Sequence, residues 1–287
     1  MKSITVKSRA KINLSLDVIG KRPDGYHEVQ MIMQQVDLYD DIKIIENKDK
    51  NNIVVTSNCE FIPKNNTNIA YKAAELIKEQ FNISYGINIH IQKNIPVAAG
   101  LAGGSANAAG VLKGLNEMWK LGLSTEELMD IGVKIGADVP FCILGSAALA
   151  EGIGERLTPL EGLKNTWVVL AKPSISVSTA EVYRNLDLDK ITRRPETYKL
   201  IEAMKEQDLY TLSKDMANVL ETVTERKHAV IRQLKSKMME YNALGSMMSG
   251  SGPTVFGIFK NYKKAKAAYD NLLVINKQTY LTQTYNE

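Results

Sequence analysis

Cysteine is almost absent from this 287-residue chain, with Cys59 and Cys142 standing alone in cysteine-free surroundings. Two isolated thiols give no disulfide framework and no metal-ligand spacing, which points to a reducing compartment. Histidine is equally sparse, and neither His90 nor His228 has ligand-like spacing to another donor. Long apolar runs are missing. Met1-Lys2-Ser3-Ile4-Thr5-Val6-Lys7 lacks the apolar core of a secretion signal, and no stretch approaches membrane-spanning length. The expectation is a cytoplasmic protein with no membrane partner. Repeats, low-complexity tracts and coiled-coil heptads are absent as well. Charge is nearly balanced and interspersed, 36 Lys and Arg against 32 Asp and Glu, so no Arg/Lys stripe suggests nucleic acid. What remains is an ordinary globular composition, 44% hydrophobic and 24% charged, on a chain long enough for two domains.

The densest signal is a run with almost no side chains: Pro96, Val97, Ala98, Ala99, Gly100, Leu101, Ala102, Gly103, Gly104, Ser105 and Ala106. Upstream, Ile87, Ile89 and Ile91 alternate with Asn88 and His90, the period of a half-buried strand. Downstream, Ala109, Leu112, Leu115 and Trp119 recur at helical steps. A strand, a bare loop and a helix start together suit close approach of an anion such as phosphate to backbone N–H groups. The plainer reading is a tightly packed Gly/Ala turn. The loop is not a Walker A motif, since no Gly-Lys-Ser/Thr follows, and it lacks the dinucleotide G-x-G-x-x-G.

Elsewhere the pattern is α+β. Ile4 to Val18 reads as one long strand or a bent pair, with Lys11 and Asn13 two apart on the face opposite the apolar residues. Arg22-Pro23-Asp24-Gly25 reads as a turn leading into Tyr26-His27-Glu28. Short strands are expected at 42–45 and 53–56, and a helix at 68–80. Ser124-Thr125-Glu126-Glu127 reads as a capping box, and Gly136 ends its helix before Ala137-Asp138-Val139-Pro140. A buried strand at Trp167–Leu170 begins a second half, placing a boundary near residue 160. Helices are expected at 196–205 and, as one long element, at 213–241. Met248–Gly257 is a second glycine-dense turn feeding a strand, and 278–287 is polar without a clear element.

In order, Ala10-Lys11-Ile12-Asn13-Leu14, Arg22-Pro23-Asp24-Gly25-Tyr26-His27, the Pro96 loop, Gly136-Ala137-Asp138-Val139-Pro140-Phe141 and Ser249-Gly250-Ser251-Gly252 resemble the galactokinase–homoserine kinase–mevalonate kinase–phosphomevalonate kinase superfamily. Within it they are most similar to the kinases of cytidyl-diphosphate polyols. The resemblance spans residues 10 to 257, essentially the whole chain. It implies a two-domain α+β fold, with a ribosomal-S5-like ATP-binding domain at 1–160, a ferredoxin-like α/β domain at 161–287 and the active site in the cleft between the halves. It also implies ATP-dependent phosphorylation of the 2-hydroxyl of 4-diphosphocytidyl-2-C-methyl-D-erythritol, a step of the non-mevalonate isoprenoid route, with Mg2+ entering on ATP and no dedicated protein metal site.

Carried over position by position, Asp138 matches the catalytic base. Lys11 matches the cation that keeps the base ionised and offsets charge on the transferring phosphoryl group. Asn13 would bond the acceptor polyol. Tyr26 and His27 fall at the cytosine-reading position. Tyr183, in Thr179-Ala180-Glu181-Val182-Tyr183, falls where the family carries an opposing aromatic that would complete a sandwich. Gly250, Ser251 and Gly252 form the third glycine motif, near the site. Without the family pattern, Asp138 would read as a loop carboxylate, Lys11 as a strand-surface lysine and Tyr183 as core packing. Many relatives carry Gly-Gly-Gly-Leu-Gly-Gly-Gly-Ser-Ser where this chain has Ala98, Ala99, Ala102 and Ala106. The alanines keep the loop narrow but should restrict positive φ, and Ala106 leaves Ser105 as the one hydroxyl. Two other readings are another GHMP kinase, for mevalonate, homoserine or a sugar, and a nucleic-acid-binding module. Asp24-Gly25-Tyr26-His27 with Tyr183 argues against the first, and the modest, scattered charge against the second.

Overall fold

The computed structural model describes residues 2–48 and 51–286. By compactness it divides into one unit of residues 1–10, 38–97 and 102–144 and another of residues 11–37, 98–101 and 145–287. The division is interleaved rather than a single cut near residue 160. The reason is two very long strands, β1 (Ser3–Lys21) and β2 (His27–Asn47), each of which contributes to both units. β1 pairs with β2.

In the first unit, the stretch expected as a separate strand at 42–45 is the far end of β2. Asp41–Asn47 pairs antiparallel with β4 (Gly86–Gln92), beside which β3 (Ile53–Ser57) runs parallel. β4 has the expected alternation, with Ile87, Ile89 and Ile91 buried and Asn88 and His90 exposed. α1 (Ile69–Gln80) starts at Asn68, whose side chain accepts from Ala70 N–H, and buries Ala70, Ala73, Ala74 and Ile77. α2 (Gly103–Trp119) is buried on nearly every side. A Cβ on its Gly114 would come within 2.8 Å of Ile44 and 3.1 Å of Val6, so glycine is what allows the helix to lie this close to the strands. α3 (Thr125–Val133) opens with the Ser124–Glu127 capping box, both of its hydrogen bonds formed, and α4 (Val139–Leu144) follows.

In the second unit, Val29–Gln34 of β2 pairs antiparallel with β5 (Ala147–Gly152), which pairs with β6 (Arg156–Leu160). A four-stranded sheet is built from β7 (Trp167–Ala171), β8 (Gly245–Met248), β9 (Val255–Phe259) and β10 (Thr279–Gln283), all antiparallel in the order β10-β7-β9-β8. β10 lies in the polar tail where no element was expected. Its signal is weak because pairing with β7, rather than its own apolarity, defines it. The helices are α5 (Thr179–Arg184), α6 (Thr197–Lys205), α7 (Leu209–Asp215), α8 (Glu221–Lys227), α9 (Ala229–Glu240) and α10 (Tyr262–Ile275). The single helix expected over 213–241 is thus three, broken at 216–220 and again at His228, whose φ of −133° is not helical.

Candidate active site

Lys11 and Asn13 share a face of β1, as their spacing requires, but that face does not meet solvent. Residues 10–18 are buried on both sides of the strand, leaving Lys11 4% exposed and Asn13 fully covered. Lys11 Nζ donates to Asn13 Oδ1 at 2.7 Å, and Asn13 Nδ2 faces Met31 Sδ at 3.2 Å, a weak acceptor. Among the described residues of the second unit, no carboxylate lies within ion-pair distance of Lys11. A buried ammonium with one neutral acceptor is costly in isolation and ready for an incoming anion.

The second glycine turn lies against this pair. A Cβ on Gly250 would sit 3.5 Å from Lys11 Nζ, 3.6 Å from Asn13 Oδ1 and 3.3 Å from Gly100 O. Gly250 and Gly252 have φ of +56° and +93°, and the Gly252–Pro253 bond is cis. The middle of the bare loop is strapped in place within the same unit. Ser249 Oγ donates to Gly100 O at 2.9 Å, Thr254 N–H to Ala99 O at 3.3 Å and Lys11 N–H to Leu101 O at 3.2 Å. A Cβ on Gly100 would collide with the Ser249 carbonyl oxygen and lie 2.9 Å from that of Gly252, so only glycine fits.

Along the loop φ alternates in sign, +49° at Ala98, +73° at Gly100 and +54° at Ala102. Alternation of this kind turns successive N–H groups toward one concave side and forms an anion-binding nest. The expectation that alanine would restrict positive φ here is corrected. Ala98 and Ala102 both adopt it, at a cost of roughly 1 kcal/mol each. Ala102 caps α2 with no side-chain acceptor, so the first-turn N–H groups stay available, and Ser105 stands half-buried among them. Pro96 is buried, while Val97 and Ala98 are exposed.

Two residues that sequence reasoning missed organise these parts. Asn218, buried in the break between α7 and α8, donates to Met248 O at 2.9 Å and Gly250 O at 2.8 Å, and accepts from Leu220 N–H at 3.0 Å. The expected continuous helix hid it. In the first unit Asp40 is fully buried and accepts four hydrogen bonds. These come from Lys93 Nζ at 2.5 Å, Asn94 N–H at 2.7 Å, Ile95 N–H at 2.8 Å and Asn107 Nδ2 at 2.7 Å. It thereby ties the segment before Pro96 to the second turn of α2.

Asp138 is half-buried at the start of α4, where its carbonyl accepts from Cys142 N–H at 3.2 Å. Tyr26 is 61% exposed beside the turn in which Asp24 accepts from Tyr26 N–H at 3.1 Å and pairs with Arg22 at 2.8 Å. Tyr183 has His27 as a ring partner, centroids 5.0 Å apart and planes 33° apart. Burial first, and the charge of Lys21 second, hold the His27 pKa below its ordinary value and favour the neutral ring. Thr179 is exposed, with Oγ1 2.8 Å from Ser251 Oγ, and Ser251 O accepts from Thr224 Oγ1 at 3.3 Å, which moors α5 and α8 to the glycine turn.

Comparison with known proteins agrees with these motifs. The profile described as GHMP kinases N terminal domain matches residues 68–146, and GHMP kinases C terminal matches 200–274. A curated 4-diphosphocytidyl-2-C-methyl-D-erythritol kinase of Alkaliphilus metalliredigens is 66% identical over 286 residues, covering 100% of this chain and 98% of its own. One of the same name from Alkaliphilus oremlandii is 64% identical over 287 residues, with the same coverage. A crystal structure of 4-(cytidine 5'-diphospho)-2C-methyl-D-erythritol kinase superposes with a TM-score of 0.85 at 28% identity, covering 99% of this chain and 100% of the other.

Proposed function

The chain belongs to the GHMP kinase family, and from that premise we propose that it is the ATP-dependent kinase that phosphorylates the 2-hydroxyl of 4-diphosphocytidyl-2-C-methyl-D-erythritol, a step toward isoprenoid precursors. The observation that carries the site is the gathering of Lys11 Nζ, Asn13 Oδ1 and the Gly100 peptide around the space left by Gly250. ATP, when bound, supplies the phosphoryl group. The loop fits its phosphates because alternating φ, a Cβ-free Gly100 and an uncapped α2 present N–H groups without side chains in the way. Among the described residues no group of three His, Cys, Asp or Glu gathers as a metal site. Mg2+ entering with ATP would be held by nucleotide phosphates, with the Ser105 hydroxyl as a protein donor.

The acceptor hydroxyl is a poor nucleophile, and Asp138 takes its proton as the new P–O bond forms. Lys11 offsets charge on the phosphoryl oxygens. Its desolvation makes that contribution larger than a surface lysine could provide. Asn13, whose amide protons among the described residues have only a thioether as partner, orients the polyol. Tyr26 offers its exposed ring to the cytosine face. Neutral His27, braced by Tyr183, reads the base edge, and Thr179 with the Ser251 turn holds α5 in position.

An ADP-release assay offering the cytidyl polyol beside mevalonate and homoserine tests the substrate. Turnover is expected with the first alone, and turnover with mevalonate or homoserine instead would reassign the chain within its family. Asp138→Asn keeps the shape and removes the base. It should lower kcat by about 10²–10⁴-fold with ATP affinity retained, and near-normal kcat would remove Asp138 from this role.

A further inference from the structure

Behind the second glycine turn, wholly within the second unit, lies an open cavity of about 490 Å³ that none of the reactions above uses. It is lined by five cations, Lys190, Arg193, Arg226, Arg232 and Lys235, against two carboxylates, Glu221 and Glu225. Both carboxylates are engaged by one of those cations, Lys235 Nζ lying 2.7 Å from Glu221 Oε2 and 2.7 Å from Glu225 Oε1. Lys190 is paired with Asp187 at 2.5 Å, and Arg193 donates to the carbonyls of Lys214 and Met216. Arg226 and Arg232 are unspent. Among the described residues neither side chain makes an ion pair or a hydrogen bond, although the charge of Asp187 reaches Arg226 over a longer distance. Two guanidinium groups without partners, facing a concavity of metabolite size, have the chemistry of a phosphate site, since the planar fork matches phosphoryl oxygens bidentately.

The cavity wall is also the back of the catalytic turn. Asn218, which lines it, holds the Met248 and Gly250 carbonyls, and Glu221 Oε1 accepts from Met248 N–H at 2.7 Å. An anion seated on Arg226 and Arg232 attracts Lys235 and weakens its grip on Glu221, the group that fixes Met248. Gly250, two residues on, borders Lys11 and Asn13. We infer that this cavity binds a small organic anion carrying phosphate or diphosphate, and that its occupancy changes how the Gly250 turn presents Lys11 and Asn13 to substrate.

The probe is inorganic pyrophosphate, titrated calorimetrically into the full chain with the nucleotide site saturated by ADP and free Mg2+ held constant. One binding event is expected, weakened tenfold or more in the Arg226→Gln/Arg232→Gln double variant. That variant should keep wild-type kcat and KM without the probe. Pyrophosphate should shift KM for the cytidyl substrate at least twofold in the wild type and leave the double variant unmoved. Equal affinity in both proteins, or no binding to the wild type, overturns the site. An equal KM shift in both places the probe in the substrate site and likewise overturns it. Binding at the two arginines with unchanged kinetics overturns the coupling.

Discussion

Each unit buries a charge deeply, Asp40 in the first and Lys11 in the second, and these two are treated in opposite ways. Asp40 is saturated by Lys93, two backbone N–H groups and Asn107. Lys11 is given one neutral acceptor, Asn13 Oδ1. A buried ion surrounded by every partner it can use does structural work, because its desolvation is offset within the fold. A buried ion left short of partners stores that cost until something of opposite charge arrives. By this criterion Asp40 shapes the segment before Pro96, whereas Lys11 fits the catalytic role proposed for it.

The hardest test of the contrast is Asp40→Asn. It leaves the Lys93 ammonium buried, 5% exposed and without a countercharge, and should cost about 3–5 kcal/mol. The urea midpoint reads this directly. An unmoved midpoint would mean that Asp40 is not the keystone its hydrogen bonds suggest.

Lys11→Met should show the reverse pattern. Removing a poorly compensated buried cation leaves stability unchanged or slightly higher, while kcat falls by about 10²–10³-fold through lost electrostatic stabilisation. If Lys11→Met lost stability on the scale of Asp40→Asn, the two buried charges would be alike and Lys11 would be structural.

His27 is a third titratable group and sharpens the picture by degree. Its pKa lies below the ordinary 6.5, so the ring stays neutral as pH falls from 8 to that value and protonates only further down. KM for the cytidyl substrate should therefore be flat from pH 8 to 6.5 and rise below it. His27→Gln should flatten that acid limb. A rise already complete by pH 6.5 would contradict a desolvated, neutral imidazole.

Legibility in the sequence followed the distance between partners. The Ser124–Glu127 box, the β4 alternation and the shared face of Lys11 and Asn13 are local, set by residues two to four apart, and are formed as expected. Asp40 and Asn218 were illegible because their partners are 53–67 and 30–32 residues away and become neighbours only on folding. β10 was hidden for the same reason, since Thr279–Gln283 is a strand by virtue of β7. The break at 216–220 defeated helical periodicity because the apolar residues on either side continue the pattern across it. The Tyr183–His27 ring contact was illegible for the same reason as Asp40 and Asn218, since the facing of two side chains 156 residues apart leaves no local trace.

The finest test lies inside the phosphate loop, where three residues share positive φ and differ in what holds them there. Gly100 is enclosed by the Ser249 and Gly252 carbonyls, which leave no room for a Cβ, so Gly100→Ala must displace backbone and should abolish ATP binding or folding. Ala98 and Ala102 already carry a Cβ in the left-handed region. Ala98→Gly relieves roughly 1 kcal/mol of that strain but restores about 0.4–1 kcal/mol of unfolded-chain entropy, leaving a net change within about 1 kcal/mol. KM for ATP should stay within about twofold, because the N–H directions depend on φ and not on the methyl group. A tenfold rise in KM for ATP would show instead that the alanine methyl holds the loop, and that the nest is shaped by packing rather than by its backbone ties.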